Sequence, residues 1–319
     1  MRIRLYADSE SIHTRRCIDY FVSRGHEVGF HVPQPQLLHA LSVTDYGYQA
    51  VKDSSAPVVL TAMGEDLLSD IRKDPSLLAR VSDVLRQAVL VTADSLELCR
   101  IARKMGASRV ELVRFGADFA IFSPSGDRKS FRESLAVAED VKLVFSPRAL
   151  TRLYRIDWIA RAAALVTARF PQVEFVFNTY RCDPQYRAQI ENILERHDVA
   201  ARFVGPFSPE QMHYAYLASE CVISVPSVDG FPVTIFEALA CCRPVVLARL
   251  TAYEELLEHK HSAMFVDSEE ELAQAVIALL EDQELARRLA ALGQQIAFKY
   301  GNLHTEMEKF ERLLLSLLQ

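Results

Sequence analysis

Short apolar runs alternate with longer stretches in which apolar residues recur every three or four positions, and this rhythm continues through most of the chain. In the first half, runs near residues 3–7, 28–32, 58–62, 89–92 and 110–115 predict strands, with helices between several of them, such as 12–24 and 96–105. The second half repeats the plan with strands near 143–146, 175–178, 202–204, 222–225 and 245–247. Strand and helix patterns in alternation predict an α/β protein with parallel sheets. The repeat of the plan predicts two Rossmann-like halves rather than one large sheet. Beyond Ser268 the chain reads as helix, ending in a stripe of Met307, Phe310, Leu313, Leu314 and Leu317. That stripe suits packing on its own half or a return onto the first, and the pattern leaves both open.

A length of 319 residues fits two domains. The Pro-, Gly- and Ser-containing stretch 122–140 is the expected boundary, giving domains 1–130 and 131–319. Half of the residues are hydrophobic, enough for a sizeable core. Residues 1–140 carry 18 basic and 19 acidic side chains and the remainder 18 and 23, so neither half has the basic excess of a nucleic-acid surface. No apolar run reaches membrane-spanning length, and no apolar segment of a signal peptide follows the two N-terminal arginines. The six cysteines lack zinc spacing or a disulfide framework, which predicts reduced thiols in a cytoplasmic protein.

Candidate chemistry concentrates in residues 221–248. The segment reads as a strand, a loop carrying Asp229, a helix from about Pro232 carrying Glu237, and a second strand. In such a βαβ unit, ligands sit where a strand ends and a helix begins. Free N–H groups of Gly230, Phe231 and Val233 at the helix start, with the helix dipole behind them, predict an anion site. Pro232 suits the first turn because it has no N–H to leave unpaired. Asp229 and Glu237 are a poor hydrolytic pair. Eight helical steps cover about 12 Å, beyond the roughly 5 to 9.5 Å that paired acids of glycosidases span.

The same segment resembles the nucleotide-sugar site of the family 4 retaining glycosyltransferases, enzymes of the GT-B fold. Two acidic residues separated by seven others, a helix of small residues and then Pro244-Val245 carry the likeness. Asp stands at 229 where Glu is commoner, and Cys242 where the family has Gly at a left-handed turn. Residues 113–124, VRFGADFAIFSP, are similar to the family's Gly-x-Asp-x-x-x-Phe-x-Pro signature, with Gly116 turning the chain and Asp118 capping. Residues 144–157 match its diphosphate-binding strand end through Arg148. The family's lysine has no match there, and Arg152 and Arg155 are its nearest substitutes.

The resemblance implies α/β GT-B architecture, with two Rossmann-like domains facing a cleft and a helical C-terminal tail. It implies transfer of a sugar from a nucleoside-diphosphate donor, a UDP-sugar first, with retention and without metal or other cofactor. Glu237 would bind the ribose, Asp229 the transferred sugar, and Arg148 the diphosphate, with Gly230, Phe231, Pro232 and Val233 forming the phosphate loop. Gly205 would line the base pocket, and Glu254 or Glu255 would lie near the donor. On the acceptor side, residues 7–28 are similar to members with Ser-x-x-His-Thr-x-Arg, which implicates Ser11, His13 and Arg15, His13 in a catalytic role. Gly64, Glu65 and Asp66 follow a strand at the expected cleft edge, and Met63 stands where many relatives have His.

The acceptor is an unidentified small molecule, glycan or lipid-linked alcohol. A lipid-linked one would bring peripheral contact with the inner membrane face, and no nucleic-acid partner is expected. The alternative from another class is a catalytically degenerate GT-B protein that binds a nucleotide sugar or a protein without transfer. The missing lysine and the missing Gly-rich first loop support it. A phosphorylase would need a pyridoxal lysine, yet Lys142 and Lys260 are the only lysines between Ser130 and Leu280. A dehydrogenase would need a Gly-x-Gly-x-x-Gly after the first strand, which is absent.

Overall fold

A computed structural model describes residues 1–53, 55–71 and 74–319. Packing divides them into two compact units. The first comprises Met1–Phe115, Val228–Pro232 and Leu303–Gln319, and the second Gly116–Ser227 and Val233–Asn302.

The first unit runs β1 (Arg2–Tyr6), α1 (Ile12–Ser23), β2 (Glu27–Gly29), β3 (Leu37–Leu41), α2 (Asp45–Asp53), β4 (Val58–Ala62), α3 (Leu77–Gln87), β5 (Leu90–Ala93), α4 (Leu96–Lys104) and β6 (Val110–Leu112). Its strands form one parallel sheet in the order β2-β1-β3-β4-β5-β6. The strand order reverses between β1 and β3, which puts the ligand-binding crevice of such a sheet at their C-terminal ends. Two elements were not expected. β3, with the sequence LLHAL, is buried at every position between β1 and β4, and α2 follows it.

The second unit contains α5 (Arg128–Ser134), β7 (Lys142–Ser146), α6 (Ile156–Arg169), β8 (Val173–Asn178), α7 (Pro184–Arg196), β9 (Ala201–Val204), α8 (Pro209–Ala218), β10 (Cys221–Ser224), α9 (Val233–Ala240), β11 (Val245–Ala248), α10 (Thr251–Glu254), β12 (Met264–Val266), α11 (Glu269–Glu281) and α12 (Gln283–Tyr300). The sheet order is β12-β11-β10-β7-β8-β9, all parallel. This is the doubly wound arrangement, and its reversal lies between β7 and β10. The α/β architecture with two parallel Rossmann-like sheets and a helical end is therefore the one expected. β12, three residues long, was not foreseen.

The last helix, α13 (Leu303–Ser316), belongs to the first unit. Met307, Phe310 and Leu314 join Ile3, Leu5, Phe21, Leu37 and Val59 in one buried cluster, so the apolar stripe covers the first sheet. The chain leaves the first unit after Phe115, earlier than the boundary expected at 130/131, and re-enters it at Leu303. Phe115 still packs in the first core. Gly116 then takes a left-handed φ of 59°, and the Ala117 N–H donates to Gly301 O at 2.7 Å inside the second unit. No helix among the described residues is long and apolar enough to cross a membrane.

Candidate functional site

In the second unit the reversal between β7 and β10 gathers the expected donor residues. β7 ends at Ser146, and Arg148 two residues later is buried, its Nη1 donating to Thr234 Oγ1 at 3.0 Å. Its guanidinium lies 4.2 Å from the centre of the Tyr154 ring. Thr234 stands in the first turn of α9, so Arg148 brings a fixed positive charge to the start of that helix. One turn on, Glu237 is buried on the same helix. The fully buried Tyr216, from α8, donates its hydroxyl to Glu237 Oε2 at 3.1 Å and to Thr234 O at 3.3 Å. Burial pushes the Tyr216 phenol well above its ordinary value, with the Glu237 carboxylate adding to the rise. The phenol therefore stays a donor. Phe122 and Phe145 hold the Tyr216 ring edge-on.

Cysteine in place of glycine was expected to alter the turn after α9 slightly, but the left-handed turn is kept. Cys242 has φ 54°, its N–H donates to Leu239 O, and the Arg243 N–H reaches back to Ala238 O. This is the Schellman arrangement that glycine favours, adopted here by cysteine at a cost of about 1 kcal/mol.

Arg152 and Arg155, the substitutes for the absent lysine, are placed differently. Arg155 has a left-handed backbone (φ 47°), and its guanidinium donates to Val225 O (2.9 Å) and Pro226 O while stacking on Trp158. It ties down the end of β10. Arg152 lies over the Tyr186 ring at 5.1 Å. Gly205 follows β9 with φ 108°, and a Cβ there would lie 2.6 Å from Asn178 Oδ1. Only glycine fits that approach. The Asn178 amide in turn donates to Pro147 O at 3.1 Å, one residue before Arg148. Glu254, at the end of α10, pairs with Arg249 at 2.8 Å.

In the first unit Ser11 precedes α1 without a side-chain cap bond. His13 is partly buried with its ring 4.9 Å from that of Phe115, and exposed Arg15 pairs with Glu10 at 3.0 Å. Asp66 is buried and accepts the N–H groups of Val43 (2.9 Å), Met63 (3.1 Å) and Leu67 (3.0 Å). It fastens the loops after β3 and β4 together. Burial pushes its carboxyl up to about 6 against those hydrogen bonds. Glu65 is partly buried beside it. Gly64, with φ 96°, meets the loop segment Val228–Pro232, which packs in this unit. A Cβ on Gly64 would lie 2.8 Å from Gly230 N.

That segment differs from expectation in one respect. The Phe231 N–H, expected to face an anion, donates to the carboxyl of Asp94, the residue directly after β5. Gly230 packs so closely on the same carboxyl that a Cβ there would overlap it. Burial pushes Asp94 up to about 8, and the neighbouring Asp229 charge adds to this, while Phe231 N–H and Arg114 pull the other way. Asp94 and Tyr216 are the two residues of interest that motif reading missed. For Asp94 the available signal was its place at the C-terminal end of a parallel strand. For Tyr216 there was none. Among the described residues no group of three or more His, Cys, Asp or Glu side chains is placed to hold a metal ion.

The sequence model of the glycosyl transferases group 1 matches residues 127–295, more than half of the chain. The D-inositol 3-phosphate glycosyltransferase of Corynebacterium urealyticum is 26% identical over 205 residues, 61% of this chain and 48% of the relative. D-inositol 3-phosphate glycosyltransferase 2 of Catenulispora acidiphila is 28% identical over 240 residues, 69% of this chain and 55% of the relative. The chain thus spans about half the length of the curated relatives it matches.

Among solved structures, Alr3699/HepE of Anabaena in complex with UDP-glucose superposes with a TM-score of 0.85, covering 99% of this chain and 100% of that one at 19% identity. Sucrose-phosphate synthase of Thermosynechococcus elongatus gives 0.76, covering 96% of this chain and 77% of that one at 20% identity. At these identities the likeness establishes the fold, GT-B. The match over the second unit and the fold of the whole lead to one conclusion: the chain belongs to the glycosyl transferases group 1 family.

Proposed function

We propose that this protein is a family 4 retaining glycosyltransferase that moves a sugar from a nucleoside-diphosphate donor to an alcohol. The observation that carries the reading is the double fastening of α9, by Arg148 at Thr234 and by Tyr216 at Glu237, beside the reversal of strand order. A buried carboxylate held by a phenol is a preorganised acceptor for ribose hydroxyls. A buried guanidinium at a helix start is suited to a diphosphate. The acceptor hydroxyl attacks the anomeric carbon on the face from which the diphosphate departs. The bond from that carbon to the phosphate oxygen breaks as the new one forms, and the acceptor proton passes to the departing oxygen. Arg148 and the N-terminal dipole of α9 stabilise the charge that develops there. The scheme uses no metal and no other cofactor.

A UDP-sugar is the donor to try first, because the Anabaena neighbour was solved with UDP-glucose. The names of the curated relatives make D-inositol 3-phosphate the first acceptor to screen, ahead of glycans and lipid-linked alcohols. A second reading, binding without transfer, draws support from Arg155, whose guanidinium is spent on backbone carbonyls where the family has a phosphate-binding lysine.

Titration calorimetry of UDP, GDP and ADP and their common sugar conjugates into wild type and Glu237→Ala tests the reading. One nucleotide should bind in the micromolar range and lose that binding in the variant. Failure of all of them to bind wild type would remove the donor site. Binding without product in a single-turnover assay across the acceptor panel would favour the second reading.

A further inference from the structure

A cavity of about 410 Å³ is lined by Arg4, Tyr6, Phe30, His31, Val32 and Pro33, all of the first unit. Its place follows from how the first sheet is covered. Ile3 and Leu5 face the core that α1 and α13 close, so Arg4 and Tyr6, which alternate with them along β1, face the other side. On that side α2, α3 and α4 bury β3 to β6, and Tyr6 packs at the margin of their core. β2, the edge strand, brings Gly29 level with Arg4, and a Cβ on Gly29 would meet nothing within 4 Å. Space is therefore open beside polar and aromatic side chains at the edge of the sheet.

The walls of the cavity are held before any ligand arrives. Arg4 donates to Val32 O from Nε at 3.2 Å and Nη2 at 2.8 Å, and to Asp53 from Nη1 at 2.7 Å. The Gln36 N–H donates to Arg2 O at 2.8 Å and the Arg2 N–H to Gln36 Oε1 at 3.0 Å, so Val32 and Gln36 tie the loop 30–36 to β1. Tyr6 donates its hydroxyl to the same Asp53 oxygen, which leaves the phenol oxygen able to accept. Hydrogen bonds from Tyr6, Ser55 and Arg4 hold the Asp53 carboxyl below its ordinary value against burial. It is thus ionised at neutral pH and balances the Arg4 charge.

These features narrow the ligand. An anion gains little where the cation is already balanced, and a wholly apolar ligand would strip water from the guanidinium without replacing it. A sugar suits both parts of the lining. Its hydroxyls can accept from the Arg4 N–H groups not already engaged and donate to the Tyr6 oxygen, while its C–H faces can lie on the rings of Phe30 and His31 and on Pro33. The volume lies within the range of about 300–1,000 Å³ typical of small-ligand sites. We propose that this cavity is a saccharide site of the first unit, taking a neutral mono- or disaccharide. It shares no residue with the donor site and does not depend on the reading of Arg148 and Glu237. It gives the protein a hold on carbohydrate separate from any nucleotide sugar.

The test is saturation-transfer difference NMR with maltose, cellobiose and N,N′-diacetylchitobiose as probes, on wild type, Gly29→Leu and His31→Ala, with melting temperatures as the folding control. At least one disaccharide should bind wild type with a Kd of about 1 mM, as expected for a small ligand held by few hydrogen bonds. Gly29→Leu fills the open space and should weaken that binding about tenfold or more, the effect of displacing the ligand's main contacts. Its melting temperature should stay that of wild type, because the new side chain displaces no protein atom. If it falls, His31→Ala decides, since it trims an exposed wall of the cavity and should weaken binding about threefold. Three results would overturn the proposal: no binding of any probe to wild type, binding unchanged in both variants, or displacement of the disaccharide by inorganic phosphate, which would make this an anion site. Failure of UDP to bind would remove the donor reading and leave this one standing.

Discussion

Tyr216 Oη lies 3.1 Å from Glu237 Oε2, and both side chains are buried. Tyr216→Phe removes this bond while keeping the ring against Phe122 and Phe145. UDP binding should weaken about tenfold, the worth of roughly 1.4 kcal/mol for a hydrogen bond to a carboxylate. Calorimetric titration of UDP into wild type and Tyr216→Phe checks this.

Arg148 gives Thr234 a hydrogen bond and Tyr154 a cationic face. Lysine keeps the charge but not the planar fork that holds two phosphate oxygens at once. Arg148→Lys should lower kcat about 10²- to 10³-fold, in the range seen when one donor to a developing anion is removed. The change in nucleotide affinity should be much smaller, and comparing single-turnover rates with calorimetric Kd values separates the two effects.

The Asp94 carboxyl makes stability depend on pH. In the native state it keeps its proton up to about 8, whereas an unfolded Asp releases it near 3.8. Between these values the native state binds more protons, so stability falls as pH rises through the window. Asp229 and Asp66 face this carboxyl as further acidic groups, and Arg114 as a compensating cation. Asp94→Asn should therefore melt at the same temperature as wild type below pH 4 and progressively higher toward pH 8. Each kcal/mol is worth about 2–4 °C in a chain of 150–250 residues. Differential scanning fluorimetry across that range reads the gap.

Phe310 is 1% exposed and packs between Phe21 and His39 of the first unit. Phe310→Ala should cost about 3–5 kcal/mol, the range for removing a buried phenylalanine. Hydrogen exchange should show the loss first in β1 and β3, which lie beneath α13, while β7 and β8 keep their protection.

Strands such as β4 and β11 were legible because β-branched and apolar residues cluster between turn residues. β3 was not. Leu37–Leu41 mixes leucine, alanine and histidine, which suit helices as well, and a fully buried parallel strand shows no alternation. The His39 in its middle is made tolerable only by partners distant in sequence: Nε2 meets Thr61 Oγ1 at 2.8 Å, and Thr61 meets Thr92 at 2.8 Å. In the site, Asp229, Glu237 and Arg148 could be read from spacing because one βαβ unit and one strand end carry them. Asp94 could not. Its importance arises from tertiary proximity to Gly230, 136 positions later in the chain. The Phe231 N–H looked free for the same reason.

α13 completes the first core long after the rest of it has been made. The Arg114 N–H donates to Glu306 Oε2 at 2.7 Å across a separation of 192 residues. On the ribosome, then, β1 to β6 emerge as a sheet with one face only partly covered, by α1, and the rest of that face waits through synthesis of the second unit. The second unit has no such wait and can fold as soon as α12 has cleared the exit tunnel. The first unit is thus the later of the two to complete its core.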